Sequence, residues 1–316
     1  MVEKKTLAEI RETLKKEQRL LLRKRFLSSK LLLSGAIIML FVILLATIGP
    51  LLTGYDAYEM IVEDRLQAPS SEHLLGTDNL GRDLFARVIY GARVSLSVGL
   101  FVAFITSMIG MITGLFASYY KTLDHILMRI CDGLMAIPGI LFAIALMAVI
   151  GPSTSNVIIA LTIVFTPHIA RVVRSRALSI QEETYIEAMR SQGAGALRII
   201  FLHIAPNAFS PLIVQATFIF AESIITEAAL SFLGAGVPTP DPSWGNILYD
   251  GKLVIFNAWW MTFFPGIMLI LTVVGLNFLG DGLRDAIDPH TKPVMKKRVG
   301  LFRSFKRENS SVHTQN

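Results

Sequence analysis

The fold of this chain is decided by residues 185–207, YIEAMRSQGAGALRIIFLHIAPN, which lie between two long apolar segments. Apolar residues recur there at roughly helical spacing, and Gly193 and Gly195 interrupt them, which predicts two short helices joined by a turn. We expect Pro206 to end the second helix, because proline lacks an N–H and crowds the preceding turn. Glu187 falls in an early turn of the first helix, where the helix dipole favours an anion. The result is a rigid element that either docks on another protein or lies on the membrane surface.

Six apolar segments surround this stretch, and a bilayer core takes about 20 residues of helix. They cover residues 31–52, 93–118, 133–150, 157–171, 208–232 and 259–279. The chain has 316 residues, of which 53% are hydrophobic. Gly110-x-x-x-Gly114 in the second segment predicts close contact with another helix. The sequence therefore predicts an all-α integral membrane protein with six transmembrane helices.

The net charge of +6 is unevenly distributed along the chain. Of the 30 Lys and Arg residues, 25 lie in the two terminal segments, between the second and third spans, and in the 171–207 loop. Because Lys and Arg concentrate in cytoplasmic loops, both termini and this loop are predicted to be cytoplasmic. The even number of spans agrees. The basic charge is thus assigned to membrane orientation and not to nucleic acid.

This topology divides the chain into four parts. Residues 1–30 form a basic, amphipathic cytoplasmic segment, and residues 31–80 form an N-terminal span with an extracellular loop. Residues 81–289 form a membrane core that contains the 171–207 loop, and residues 290–316 form a basic cytoplasmic tail.

The sequence offers little for catalysis or metal binding. Residues 76–83, GTDNLGRD, have the glycine spacing of a phosphate-binding loop, but Arg82 and Asp83 replace its Lys and Ser/Thr. The six histidines lack metal-ligand spacing, and there is one cysteine. We therefore expect no catalytic residue, cofactor or metal in this chain. A self-contained channel or secondary transporter, or a membrane enzyme, stays open as an alternative. Neither is favoured, since the spans carry only Glu222 and Glu227 as acidic residues.

The decisive stretch resembles the EAA motif of ABC importer permeases. Glu187, Ala188, Gly193 and Pro206 have the motif's spacing, while the chain departs from it at Met189, His203 and Ala205. Further segments resemble the dipeptide/oligopeptide/nickel branch of these permeases, most closely its C-type permease, over nearly the whole chain. They are LGTDNLGRD at 75–83, GARVS at 91–95, EAALSFLG at 227–234, WG at 244–245 and GDGLRDAIDP at 280–289.

The resemblance implies a type I ABC importer permease fold, with one extra N-terminal span, a five-helix core and a cytoplasmic coupling helix. It implies a non-catalytic subunit of an importer that brings di- or oligopeptides into a bacterial cell. Its partners would be a homologous second permease, two cytosolic ATPases that bind ATP and Mg, an extracellular or periplasmic solute-binding protein, and the lipid bilayer. Nickel chelates and glutathione are alternative cargoes.

Three groups of candidate site residues follow. The first would contact the ATPases: Tyr185, Glu187, Ala188, Met189, Gly193, Ala194, His203, Pro206 and Asn207. The second, Glu222, Glu227 and His168, could line the path or contact the second subunit, or Glu227 could simply be hydrogen-bonded to a neighbouring helix. The third group, Arg82, Asp83 and Trp244, lies on the outer side and could contact the binding protein. Arg82 and Asp83 could instead pair with each other, although exposure to solvent is the commoner fate of such charges and is our expectation. We expect Trp244 to share an interfacial aromatic belt with Trp259 and Trp260.

Overall fold

A computed structural model of the chain describes residues 28–287, together with residues 12 and 26. The predicted amphipathic N-terminal segment and the basic tail therefore fall almost entirely outside the described residues. The helices are α1 (Lys30–Leu52), α2 (Leu84–Tyr119), α3 (Lys121–Met135), α4 (Gly139–Ile150), α5 (Thr154–Gln181), α6 (Thr184–Ser191), α7 (Ala196–Ile199), α8 (Ala205–Phe232), α9 (Trp244–Lys252) and α10 (Trp260–Ile287). A π-helical turn, Ile200–Ile204, joins α7 to α8.

Five helices in the described part are long and apolar enough to cross a bilayer. They are α1, α2, α5, the continuous helix Ala196–Phe232 and α10. Helices α3 and α4 together make a sixth unit, but it is bent by 92°. These six units correspond to the six predicted spans.

The helices extend beyond the predicted spans in four places. Helix α2 begins at Leu84 and not at residue 93, and the continuous helix that contains α8 begins at Ala196 and not at residue 208. Helices α5 and α10 continue to Gln181 and Ile287, beyond the predicted ends at residues 171 and 279. In each case charged residues interrupt the apolar stretch while the backbone stays helical. An apolar run marks where a helix crosses the bilayer, and not where the helix itself begins or ends.

The third span is broken and not straight. Helix α3 is amphipathic, and Pro138 precedes the first residue of α4. Two ion pairs connect α3 to α5. Arg174 donates from Nε to Asp124 Oδ1 at 2.5 Å and from Nη2 to Asp124 Oδ2 at 2.7 Å. Arg171 donates from Nη2 to Asp132 Oδ1 at 2.5 Å. These pairs connect α3 to α5, and the chain turns sharply between α3 and α4, where Pro138 lies.

Small residues bring α2 and α5 together. A methyl group at Gly110 would lie 2.5 Å from the Cγ2 atom of Ile169, and one at Gly114 would lie 2.6 Å from the carbonyl oxygen of Ala170. Both distances are too short for a side chain, so the two backbones can approach only because these residues are glycines. The predicted close helix contact at Gly110 and Gly114 is confirmed.

The bundle has two distinct ends. At one, the ends of α2 and α5 meet α6 and α7, and we call this the α6 end. At the other, α9 packs against residues 53–83, and we call this the α9 end. The N-terminal span α1 contributes Met39, Val42 and Ala46 to a buried cluster that also contains Leu276 of α10.

Pro206 does not end a helix, contrary to the prediction. It lies in the first turn of α8, and the helix runs on to Phe232. The π-helical turn before it supplies the physical reason, since the N–H of Ala205 bonds the carbonyl of Ile200, five residues back. This wider turn accommodates the proline ring and its missing N–H, so the helix is not interrupted.

Candidate functional site

Helices α6 and α7 form an element at the α6 end that is anchored on one side and exposed on the other. Ile186 of α6 and Ile199, Ile200 and Ile204 beyond it are fully buried in the main apolar cluster. That cluster also contains the end residues of α2 and α5. We call residues 184–207 the docking element. Its buried isoleucines fix it rigidly to the ends of two spans.

The predicted ATPase-contact residues divide between the two sides of the docking element. Met189, Ala194 and His203 are partly buried, and Met189 and Ala194 pack against the main apolar cluster. The remaining six are exposed: Tyr185, Glu187, Ala188, Gly193, Pro206 and Asn207. Glu187 lies in the first turn of α6, as predicted. The exposed set offers a partner one acidic group, one aromatic ring and small residues.

The turn between α6 and α7 requires a glycine. Gly193 has φ +80°, and its N–H bonds the carbonyl of Arg190 at 3.0 Å. The N–H of Ala194 bonds the carbonyl of Met189, also at 3.0 Å. These two bonds form a Schellman motif, which ends a helix with a left-handed residue. The predicted turn between two short helices is therefore confirmed at Gly193.

Glu227 lies at the centre of a buried hydrogen-bond network near the α9 end. Its Oε2 accepts from the Ser95 hydroxyl at 3.0 Å, and its Oε1 accepts from the Ser231 hydroxyl at 2.8 Å. Each serine also accepts a backbone N–H, from Trp244 at 3.3 Å and from Val237 at 3.0 Å. Glu227 thus joins α2 and α8 to the loop that leads into α9, in agreement with a hydrogen-bonded carboxyl.

Glu222 and His168 differ from Glu227. The Glu222 side chain is exposed on α8, and His168 on α5 is partly exposed. Among the described residues, no group of three or more His, Cys, Asp or Glu side chains could hold a metal ion. Glu222 therefore lies on the surface of this chain, whereas Glu227 is enclosed within it.

The expectation that Arg82 and Asp83 are exposed is wrong. Arg82 is 2% exposed, and its Nε donates to Asp78 Oδ2 at 2.6 Å. Its Nη2 reaches Asp250 Oδ2 at 3.4 Å. Asp83 caps α2 by accepting the N–H of Ala86, and His73 contacts it at 3.0 Å. Desolvation would penalise unpaired charges, so these groups are buried only because they pair.

The same cluster contains charges that sequence reasoning missed. Arg87 lies with its Nε 3.3 Å from Asp78 Oδ2, and its Nη1 donates to the carbonyl of Ala57. Burial raises the pKa of Asp250 above its usual range, and Arg82 and Arg87 lower it in part. The quoted segment at 75–83 was the available signal, since it contains Asp78.

The expected aromatic belt is wrong for two of its three members. Trp244 is fully buried, and its Nε1 donates to the carbonyl of Val88 at 3.1 Å. Trp260 is also buried and donates to the carbonyl of Thr77 at 3.1 Å. Trp259 alone of the three is exposed, at 51%. Each buried indole donates to a backbone carbonyl, Trp244 to one in α2 and Trp260 to one in the loop 53–83. Both therefore pack as core residues of the α9 end.

Comparison with known proteins defines the class of protein to which this architecture belongs. Residues 106–293 match the family model described as binding-protein-dependent transport system inner membrane component. Residues 20–69 match the model for the N-terminal TM domain of oligopeptide transport permease C. The chain belongs to the family of inner membrane components of binding-protein-dependent transport systems, which confirms the resemblance to ABC importer permeases.

Relatives of known name cover most of the chain. The dipeptide transport system permease protein DppC of Alkalihalophilus pseudofirmus is 46% identical over 85% of this chain and 89% of that protein. The di/tripeptide transport system permease protein DppC of Pseudomonas aeruginosa is 40% identical over 84% and 90%. The glutathione transport system permease protein GsiD of Pectobacterium atrosepticum is 43% identical over 85% and 90%.

A solved structure confirms the predicted fold. The inward-facing MetNI methionine ABC transporter aligns with a TM-score of 0.54 and 23% identity. The alignment covers 64% of this chain and 97% of that chain. The fold is therefore that of an ABC importer permease, with the N-terminal span as an addition to the shared core.

Proposed function

We propose that this chain is a permease subunit of an ATP-driven importer that carries di- or oligopeptides into a bacterial cell. The docking element carries the proposal, because it is anchored by buried isoleucines and yet exposes Tyr185, Glu187 and Ala188. A helix that only rested on the membrane surface would not need a fixed connection to two spans. A helix that transmits the motion of a partner protein to the spans does need such a connection.

In this proposal, two cytosolic ATPases bind ATP and Mg. One ATPase binds the docking element of this chain, and the other binds the corresponding element of a homologous second permease. Their closure moves the docking element as a rigid body, and the attached spans rock between inward-open and outward-open states. This chain supplies the contact and the spans but no catalytic group. Rigidity at the contact therefore matters more than chemistry.

The proposal assigns a side of the membrane to each end of the bundle. The α6 end and both termini are cytoplasmic, in agreement with the distribution of Lys and Arg. The α9 end faces outward and receives an extracellular or periplasmic solute-binding protein. Glu222, which is exposed within a span, faces the second permease or the path, because a carboxylate is costly against lipid.

Peptides are the proposed cargo because relatives named as dipeptide and di/tripeptide permeases match most of the chain. Glutathione is the second candidate, favoured by the relative named as a glutathione permease. Glutathione is itself a modified tripeptide, so the same path would serve both. Uptake of a labelled dipeptide and uptake of labelled glutathione, measured separately with the assembled importer, show which of the two is carried.

The test is gentle detergent purification of the tagged chain from its own cells, with mass spectrometry of co-purifying proteins. We expect a second permease of similar size and ATPases that carry Walker motifs. A chain that purifies alone, or only with copies of itself, would overturn the proposal. Glu187→Arg should abolish uptake without preventing membrane insertion, whereas Glu182→Arg, an exposed charge reversal just beyond α5, should leave uptake intact.

A further inference from the structure

A closed set of polar contacts joins α6 to the ends of two spans. The Nη2 of Arg190 on α6 donates to Gln181 Oε1 at 2.8 Å, and Gln181 is the last residue of α5. The Nε2 of Gln181 donates in turn to the carbonyl of Ser118 on α2 at 2.9 Å. The guanidinium carbon of Arg190 lies 5.3 Å from the ring centre of Tyr119, the last residue of α2. Three helices thus meet in one ring of contacts.

The chemistry of this ring fixes its orientation. The amide oxygen of Gln181 faces a cation, and its N–H faces a carbonyl. A rotation of the amide would place its nitrogen against the guanidinium and its oxygen against the carbonyl, so both contacts would be lost. The Tyr119 ring offers Arg190 a cation–π contact at a distance that is within range. Every member of the ring therefore has one arrangement that satisfies all of the others.

This ring supplies directional contacts, which the apolar anchor lacks. The buried isoleucines hold α6 against the bundle through contacts that are non-directional. Hydrogen bonds and a cation–π contact do depend on direction. Arg190 lies in the last turn of α6 and is itself exposed, so it can make these contacts without the cost of burying its charge.

We propose that Arg190 and Gln181 are positioning residues that transmit movement of α6 to α2 and α5 together. When α6 shifts, Arg190 displaces Gln181 and Tyr119 at the same time, because it contacts both. Gln181 passes the displacement to Ser118 through its hydrogen bond to the Ser118 carbonyl. The ends of two spans then move as one unit. This inference rests on the proposed coupling function, and it adds the specific contact through which α6 acts on the spans.

The experiment uses the complete importer in proteoliposomes, with the binding protein, both permeases and the ATPases. The readout is the number of ATP molecules hydrolysed for each labelled dipeptide imported, which a merely structural residue would not change in an intact complex. We expect Arg190→Ala to raise this ratio, because α6 could then move without carrying the ends of α2 and α5 with it. Arg190→Lys should restore most of the coupling, since it keeps the cation.

Two further variants keep the test independent of the ATPase contact. Gln181→Glu keeps an acceptor for Arg190 but places a carboxylate against the Ser118 carbonyl, and Tyr119→Leu removes the aromatic face. Both lie on spans outside α6, and both should raise the ratio. Arg176→Ala, an exposed arginine on the same helix as Gln181, is the matched control and should leave the ratio unchanged.

The outcomes separate this inference from the proposed function. An unchanged ratio in Gln181→Glu and Tyr119→Leu complexes would overturn the inference, even if Arg190→Ala had an effect, because Arg190 would then act through the ATPase alone. If the unmodified chain assembles with no ATPase, the proposed function itself fails. Equal assembly of all variants with a raised ratio only in the three ring variants is the expected result.

Discussion

Replacement of Gly193 by Ala isolates the backbone requirement of the turn between α6 and α7. Gly193 has φ +80°, and a methyl group on it would meet no atom within 4 Å. The substitution therefore adds no clash, and the left-handed conformation is its whole cost. For a residue with a Cβ atom this cost is about 1–2 kcal/mol.

Gly195 is the matched control for this change. It also has open space around it, but its φ of −66° and ψ of 149° suit any residue. Alanine there should stabilise the loop by about 0.4–1 kcal/mol, because it lowers the entropy of the unfolded chain. The same gain offsets part of the cost at Gly193, which leaves a net loss of roughly 1 kcal/mol.

The assay is hydrogen exchange at the amides of residues 193 and 194, the two donors of the Schellman motif. A loss of this size opens the turn about fivefold more often, so exchange should be about fivefold faster in Gly193→Ala. Exchange in Gly195→Ala should be unchanged or slower. Gly193→Asn should fall between Gly and Ala, because Asn tolerates the left-handed region. Equal exchange rates in the two alanine variants would refute the left-handed turn.

Two further paired predictions concern the α9 end, and thermal unfolding of the purified chain in detergent measures both. Trp244→Phe removes a buried hydrogen bond and leaves a small cavity, so we expect a loss of about 2 kcal/mol, whereas Trp259→Phe at a half-exposed site should change stability by less than about 0.5 kcal/mol. Glu227→Gln leaves one serine hydroxyl without an acceptor and should cost about 1–3 kcal/mol, whereas Glu222→Gln should cost far less. Equal losses within either pair would contradict the assigned burial.

The spans and the docking element could be predicted because their signals are local. An apolar run of bilayer length identifies a membrane helix by itself, and Gly193 identifies a left-handed turn by itself. The same rule explains the errors in the boundaries. Charged residues cut the apolar run at the start of α2, and the charges of α3 hid a helix that is amphipathic and not uniformly apolar.

The interior of the α9 end could not be predicted, because its partners lie far apart in the sequence. Arg82 meets Asp250, which is 168 residues away, and Trp244 meets Ser95 at a separation of 149 residues. A charge or an indole next to a span is usually exposed, and only the three-dimensional fold shows that these are enclosed. Pro206 was misjudged for a related reason, since a π-helical turn has no reliable sequence signal.

The most direct test of the coupling claim is photocrosslinking from the docking element in intact membranes. A photoreactive amino acid replaces Tyr185, which is 43% exposed at the α6 end, and a control replaces Leu253, which is 70% exposed at the α9 end. We predict that the Tyr185 probe captures an ATPase subunit and that the Leu253 probe does not. Capture of lipid alone from position 185, in membranes that contain the ATPases, would contradict the account and leave α6 as a helix on the membrane surface.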